Sequence, residues 1–150
     1  MINDMMKEFH DTYEVEMVQL DIPEDDEAKE EYVKELDKFL DLRGQLICEE
    51  IGELGEAHFK MLGAIRKGEG LEEARKEYLD AIGDIIYVAA GSAHLLGMNT
   101  EGALDAIHVS NMSKLGEDGK PMKSDGTDGK PVGKILKGPN FKEPELGEYV

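Results

Sequence analysis

Apolar residues recur along most of this chain every three or four positions, which is the spacing of an α-helix. No segment shows the sustained alternation of apolar and polar residues that is typical of a half-buried strand. Gly68, Gly70 and Gly97 are placed as helix ends, and Gly44 is a candidate break in the second helix. We therefore predict an all-α fold, with helices over residues 3–18, from about Asp26 to Arg66, over 71–97 and from about Thr100 to Lys114.

The pattern changes after Lys114, where glycine, proline and lysine become frequent. The turn sequence DGKP occurs at 118–121 and again at 128–131. The apolar residues between 132 and 146 favour docking of this segment over a free tail. We predict a helical body over residues 1–114 and a C-terminal arm over 115–150 that packs on the body or on a partner subunit.

The charge of the chain is negative and unevenly distributed. There are 34 acidic and 17 basic residues, a formal net charge of −17, which argues against binding a nucleic acid polymer or an anionic membrane. Residues 1–110 hold 10 basic and 27 acidic residues, whereas 111–150 hold seven of each. No apolar run reaches the ~18–20 residues of a membrane span, and a single cysteine, Cys48, is typical of a reducing cytoplasm.

One carboxylate of the second predicted helix does not fit a solvated face. At 100° per residue, Glu50 lies inside the apolar arc of the helix, one turn from both Leu46 and Leu54. Glu53 lies at the edge of that arc, and Glu49 lies just beyond it. A carboxylate that faces the core costs several kcal/mol unless it is paired or binds a metal.

The third predicted helix has a similar feature. Glu77, Asp80 and Asp84 form one row on its surface. Asp84 is the only acidic residue between Ile82 and Leu96, a stretch that is apolar almost all round and should be buried. An ordinary core would not keep this carboxylate without a cation.

Two packed helices would thus present carboxylates to each other, at i, i+4 spacing on both (Glu49 with Glu53, Asp80 with Asp84). Such an all-oxygen site suits Mg²⁺ or Mn²⁺, and the alternative is a structural network with Lys or Arg. A metal in this site could bind a polyphosphate and lower the pKa of a bound water. A glutamate outside the coordination shell could then accept the proton of that water.

These residues resemble a known pattern, that of the all-α nucleoside triphosphate pyrophosphohydrolase superfamily. The closest likeness is to the short MazG-like forms, and phosphoribosyl-ATP pyrophosphohydrolases and dimeric dUTPases are further members. The resemblance rests on EExxE at 49–53, a second acidic helix and HxxNxSK at 108–114. The similar stretches are LRGQLICEEIGEL (42–54), LDAIGDIIYVAAGSAHLLGMN (79–99), HVSNMSKLGEDGKP (108–121) and GKILKGPNF (133–141).

The resemblance implies hydrolysis of a (deoxy)nucleoside triphosphate to a monophosphate and pyrophosphate, with Mg²⁺ or Mn²⁺ as the cofactor. It implies that Glu49, Glu50, Glu53 and Asp84 match the metal-binding motifs, with Glu50 as the base, or Glu49 in the reverse assignment. The resemblance implies that Asn111 and Lys114 contact the nucleotide. Lys134 is the further candidate that we select to hold the triphosphate, and the other candidates are Lys120, Lys130 and Lys137, any of which is alternatively a plain surface lysine. Phe9 and His10 lie where relatives place a base-pocket segment.

This sequence departs from the second motif of the family, ExxD, because Ala81 stands three positions before Asp84. We expect Asp80 to substitute as a metal ligand and Glu77 to support the site from outside it. The register Glu77–Asp80 also satisfies ExxD and stays open.

The resemblance further implies a four-helix-bundle-like core completed by a second copy, in a homodimer or a dimer of dimers. The alternative substrates are dUTP and phosphoribosyl-ATP. A different class of function also stays open: a metal-stabilised module that binds a nucleotide or a protein without catalysis.

Overall fold

The computed structural model describes residues 1–150 and is entirely helical, which confirms the predicted all-α class. Strands are absent, and Lys123 and Ile135 form one isolated antiparallel bridge. No single helix combines the length and the apolar composition of a membrane span. The elements are α1 (Ile2–Thr12), α2 (Asp26–Lys67), α3 (Leu71–Leu95), α4 (Thr100–Met112) and a 3₁₀ turn (Gly147–Tyr149).

The predicted first helix is too long by six residues, since α1 ends at Thr12. Beyond it Glu14 takes a left-handed conformation with φ of 54°. The amide of Val18 then donates a hydrogen bond of 2.8 Å to the carbonyl of Leu95, at the end of α3. This long-range contact gives the chain a backbone partner outside the helix, so the helical pattern in the sequence does not continue as a helix.

The predicted break at Gly44 does not occur, because α2 runs uninterrupted for 42 residues. Its first turn is capped by Asp25, whose carboxylate accepts a hydrogen bond of 3.0 Å from the amide of Ala28. It ends at Gly68, which has φ of 75° and donates to the carbonyl of Ala64. Gly70 also has a positive φ, and two such glycines let the chain reverse into α3.

Residues Ile2–Gly97 form one compact unit, which we call the helical unit. Within it α3 packs against both α2 and α1. The interface of α2 and α3 buries small side chains, among them Ala57, Ala74 and Ala81, which allow the two helices to approach closely. Met6 of α1 and Leu95 of α3 are the largest fully buried side chains.

Much of the apolar surface of the helical unit is exposed. Phe59 of α2 and Leu79 of α3 are 73% and 69% exposed, and Ile51 and Ile86 are more than half exposed. A single copy therefore leaves a large part of the apolar stripe of α2 and α3 uncovered. The predicted completion of the core by a second copy stays a prediction.

The second compact unit, the C-terminal unit, consists of Met98–Val150 together with Met1. It divides from the helical unit after Gly97, so α4 groups with the C-terminal residues, whereas the sequence analysis placed α4 in the body and the boundary after Lys114. The buried Ser110 of α4 donates a hydrogen bond of 2.7 Å to the carbonyl of Lys142. The amide of Gly138 donates to the carbonyl of Lys114 at 3.1 Å. These bonds fix the arm to α4.

Candidate metal centre

Three carboxylates of the helical unit converge between α2 and α3. One oxygen each of Glu50, Glu53 and Asp84 lie within 4.8 Å of one another. Glu50 is half-buried, and the other two side chains are exposed. Consecutive turns of α2 supply Glu50 and Glu53, and α3 supplies Asp84 from the facing side, so the packing of the two helices creates the cluster.

The electrostatics of this cluster favour a cation. The pKa of Glu50 is raised above its ordinary value, first by partial burial of the carboxyl and then by the charges of Glu53, Asp84 and Glu49. Neither lysine nor arginine forms an ion pair with any of the three clustered carboxylates. The structure therefore does not show the alternative, a network in which a lysine or arginine pairs with these three carboxylates. A hard divalent cation is the partner that the donor set suits.

Two of the proposed ligands lie outside the three-residue cluster. Glu49 is exposed on α2, and only its charge reaches the cluster, through the pKa of Glu50. Asp80 lies one turn before Asp84 and lines an open cavity of about 520 Å³ along α3, together with Asp84 and Glu77. Asp80 thus shares a cavity with one cluster member without joining the other two.

Glu77 has a partner of its own. Its carboxylate forms an ion pair with Lys60 of α2, with 2.8 Å between Oε2 and Nζ. The hydrogen bond to Glu77 raises the pKa of Lys60. Both side chains are about half exposed, so solvent screens this bridge and it contributes little stability. Glu77 is engaged across the helix pair and does not belong to the carboxylate cluster.

The departure from the ExxD motif has a visible structural counterpart. Ala81 is only 5% exposed and lies in the packed part of the helical unit. A glutamate at this position would add four heavy atoms and a charge where the structure has a methyl group. The small residue therefore fits the close packing of α3 at this position.

A second cavity lies one helical turn further along the same two helices. It has a volume of about 230 Å³. Leu46 lines it from α2, four residues before Glu50, and Val88 lines it from α3, four residues after Asp84. The remaining lining residues are Met6, Phe9, His10, Arg43, Tyr87 and Gly91. Aromatic rings and one guanidinium group thus surround a space next to the carboxylates.

Arg43 is held in the wall of this cavity by α3. Its Nε donates to the hydroxyl of Ser92, and its Nη2 donates to the carbonyl of Val88, both at 2.9 Å. A β-carbon on Gly91 would lie 3.3 Å from Nη2 of Arg43, so the glycine makes room for the guanidinium. The sequence analysis missed this residue. The sequence does contain a signal for it, because Arg43 lies between Phe39 and Leu46 on an otherwise apolar row of α2.

His10 of α1 is 5% exposed and stacks on His94 of α3, with 5.1 Å between ring centroids. Burial lowers the pKa of His10, and the charges of His94 and Arg43 lower it further. Its Nδ1 atom is buried and has no hydrogen-bond partner. The helical unit therefore holds a neutral imidazole with one unsatisfied polar atom beside the cavity.

The three residues predicted to contact substrate lie in the C-terminal unit. Lys114 Nζ donates a hydrogen bond of 2.6 Å to Oδ1 of Asn111. Lys114 and Lys134 line one cavity of about 360 Å³. The structure thus brings Asn111 and Lys114 into contact, and it places Lys134 on the same cavity as Lys114.

Comparison with known proteins gives one family. The family model described as phosphoribosyl-ATP pyrophosphohydrolase matches residues 6–111. The match includes the carboxylates of both helices and Asn111, and it ends before Lys114 and the arm. No curated protein matches the chain.

Proposed function

Because the chain belongs to the phosphoribosyl-ATP pyrophosphohydrolase family, we propose that it hydrolyses a (deoxy)nucleoside triphosphate to the monophosphate and pyrophosphate with the help of Mg²⁺ or Mn²⁺. The family is part of the all-α nucleoside triphosphate pyrophosphohydrolase superfamily and acts on phosphoric anhydride bonds. It is typically dependent on a divalent metal. The observation that carries the proposal is the carboxylate cluster of Glu50, Glu53 and Asp84.

The cluster fits a hard cation by its chemistry and its size. Two oxygen ligands of one Mg²⁺ lie about 3–4 Å apart, since each bond is about 2.1 Å long. Oxygens within 4.8 Å of one another reach that spacing through small side-chain rotations. The proposed further ligands are Glu49, which lies one turn before Glu53, and Asp80, which lies one turn before Asp84. A bound divalent metal would polarise the phosphate and lower the pKa of a coordinated water.

The residues of the chain then have separate tasks. Glu50 accepts the proton of the attacking water at its free oxygen; in the reverse assignment Glu49 does so. The water attacks the α-phosphorus, and the bond to the bridging oxygen of the β-phosphate breaks, so pyrophosphate leaves. The half-buried position of Glu50, beside two carboxylates that would hold the metal, suits a general base, because it lies within reach of a water that the metal would bind.

The cavity of Phe9, His10 and Tyr87 is the proposed position of the nucleoside. It begins one helical turn from the carboxylates on both α2 and α3, which is a suitable distance between a reacting phosphate and the base of the same molecule. A planar base can pack against the two aromatic rings. His10 lines the same cavity, and its imidazole is the proposed polar contact of the base. The proposed nucleotide contacts of Asn111, Lys114 and Lys134 are independent of this cavity.

The exposed apolar side chains of α2 and α3 support assembly with a second copy. Phe59 and Leu79 would lie unprotected in a monomer. We therefore propose a homodimer or a dimer of dimers with this surface in the interface. We also propose action in the cytoplasm, on nucleotides that are dissolved there, for which the lone exposed Cys48 is suitable.

The description of the matching family favours phosphoribosyl-ATP as the alternative substrate. Release of pyrophosphate from a panel of nucleotides tests both candidates. The panel contains the deoxy- and ribonucleoside triphosphates, dUTP and phosphoribosyl-ATP, each with Mg²⁺, with Mn²⁺ and with EDTA. The proposal predicts release from at least one member, and loss of that release in EDTA. Tight nucleotide binding without turnover of any member would instead support a non-catalytic module.

A further inference from the structure

The C-terminal unit contains a cavity whose walls are cationic, in a chain that is strongly acidic. Lysines make up four of the seven residues that line it, and none of the seven is acidic. The four are Lys114, Lys130, Lys134 and Lys137. The chain as a whole has twice as many acidic as basic residues. A cavity with this lining is unlike the average surface of the protein.

The backbone around the cavity is fixed by hydrogen bonds of the arm. The amide of Leu136 donates to the carbonyl of Met122, and the amide of Ser124 donates to the carbonyl of Lys134, both at 2.8 Å. At Gly138 a β-carbon would lie 1.9 Å from the carbonyl oxygen of Leu115, so the two backbone segments touch. Because of this contact, lysines from the end of α4 and from the arm line one cavity.

The floor of the cavity is apolar, formed by Met122, Ile135 and Leu136. Lys134 forms no ion pair, whereas Lys130 pairs with Asp128 and Lys137 with Glu143, at 2.8 and 2.9 Å. These two pairs are exposed, so they are weak and can be exchanged for a ligand.

We propose that this cavity binds a diphosphate group without a metal ion. The four lysines carry charge that matches several negative charges held close together, and Lys134 is the one of them whose side chain has no ion-pair or hydrogen-bond partner, in a cavity of about 360 Å³. The choice of diphosphate among anions rests on the proposed function, whose product is pyrophosphate; the excess of lysine does not depend on it. Free pyrophosphate and the phosphate tail of a nucleotide share this chemistry.

The test measures binding of sodium pyrophosphate by titration calorimetry in a buffer with EDTA, where no metal bridges the ligand to a carboxylate. The full chain is used, with Glu50→Gln added so that nucleotides also persist. We expect saturable binding at one site for each chain. Removal of Lys134 in Lys134→Gln should weaken it about tenfold, the effect of one charged hydrogen bond, and Lys130→Gln with Lys137→Gln should weaken it further.

The matched control is Lys120→Gln with Lys123→Gln. It removes two exposed lysines of the same unit that do not line the cavity, and it should change the affinity less than twofold. Equal weakening by both double variants would overturn the proposal, since general charge would then explain the binding. If pyrophosphate does not bind in EDTA, a nonhydrolysed nucleoside triphosphate is titrated next. Binding that depends on Lys134 in the same way would identify the phosphate tail of the nucleotide as the ligand. Absence of binding by both compounds would overturn the proposal.

The binding of pyrophosphate in EDTA is measured independently of turnover. Pyrophosphate binding in EDTA with no activity on any nucleotide would refute the proposed function and leave the cavity assignment intact. Metal-dependent activity that is unchanged in Lys134→Gln, without pyrophosphate binding in EDTA, would support the proposed function and refute the cavity assignment. Circular dichroism of each variant checks that the helices are retained.

Discussion

Glu50 of α2 and Asp84 of α3 face each other across the helix pair, with a carboxylate oxygen of each within 4.8 Å of the other. They are 34 positions apart in the chain, and only the packing of α3 on α2 brings them together. Glu50 is half-buried and Asp84 is exposed, so two like charges meet at the edge of the helix interface. A cation, or a proton on Glu50, would reduce their repulsion.

The first prediction concerns the effect of metal on stability. Mg²⁺ or Mn²⁺ should raise the melting temperature, because ligands that bind only the folded state stabilise it. Glu53→Gln should raise the melting temperature in EDTA, by about 2 °C, since it removes a repelling charge, and it should reduce the increase caused by metal. Differential scanning calorimetry with and without metal measures both. A loss of stability in EDTA would show that the carboxylates do not repel each other.

The second prediction concerns the proton acceptor. Glu50→Gln keeps the size of the side chain and removes its basicity, so kcat should fall about 10²–10⁴-fold. Glu35→Gln is the matched control, because Glu35 is an exposed glutamate on the same helix and should leave kcat unchanged. Pyrophosphate release under saturating substrate gives the comparison. If Glu50→Gln keeps full activity and Glu49→Gln loses it, the reverse assignment is correct.

The third prediction concerns pH. The pKa of His10 is lowered in the folded protein by burial, by His94 and by Arg43, while Asp11 opposes the shift. A lowered pKa means that the folded state favours the neutral ring. The stabilising effect is therefore complete above the unfolded-state value of about 6.5 and is lost as the pH falls below it. We expect the free energy of unfolding to fall between pH 7 and pH 5.

Urea unfolding at several pH values measures this dependence, and His10→Phe should reduce it, because a phenyl ring fills a similar volume without titrating. His108→Gln, which removes an exposed histidine, is the control and should keep the dependence of the native chain. A titration of His10 by NMR with a midpoint above 6.5 would contradict the assigned direction.

The fourth prediction concerns the contact between the arm and the end of α4. Gly138→Ala should destabilise the C-terminal unit by about 1–3 kcal/mol, because a β-carbon there overlaps the carbonyl oxygen of Leu115, which belongs to the backbone and cannot rotate away. Gly147→Ala is the matched control, since nothing lies within 4 Å of its added carbon. Tryptic cleavage at the lysines of the arm reports the loss, and equal cleavage of the two variants would contradict it.

The sequence predicted the helices because they depend on local periodicity. Of the carboxylates predicted to face inward, Glu50 is half-buried, whereas Glu53 and Asp84 are exposed in the single chain. The position of Glu50 on its own helix is fixed by 100° per residue, so its conflict with an apolar face is visible without any tertiary structure. Convergence with Asp84 followed from the assumption that α2 and α3 pack against each other, which they do, although much of their apolar surface stays exposed.

The remaining features depend on contacts between distant parts of the chain. The early end of α1 follows from the hydrogen bond between Val18 and Leu95, which no local pattern contains. The stacking of His10 on His94 requires the docked position of α1. The grouping of α4 with the arm depends on the close approach of Gly138 to Leu115, where the sequence shows only one glycine among many.

The unbroken course of α2 through Gly44 has a consequence for selectivity. Arg43 and Glu50 lie on one continuous helix, so their separation along its axis is set by the rise of seven residues, about 10 Å. The protein cannot adjust this length by bending at a hinge. Under the proposed function, a substrate that reaches from the guanidinium to the carboxylates would have to span this fixed length, whatever groups its ring carries.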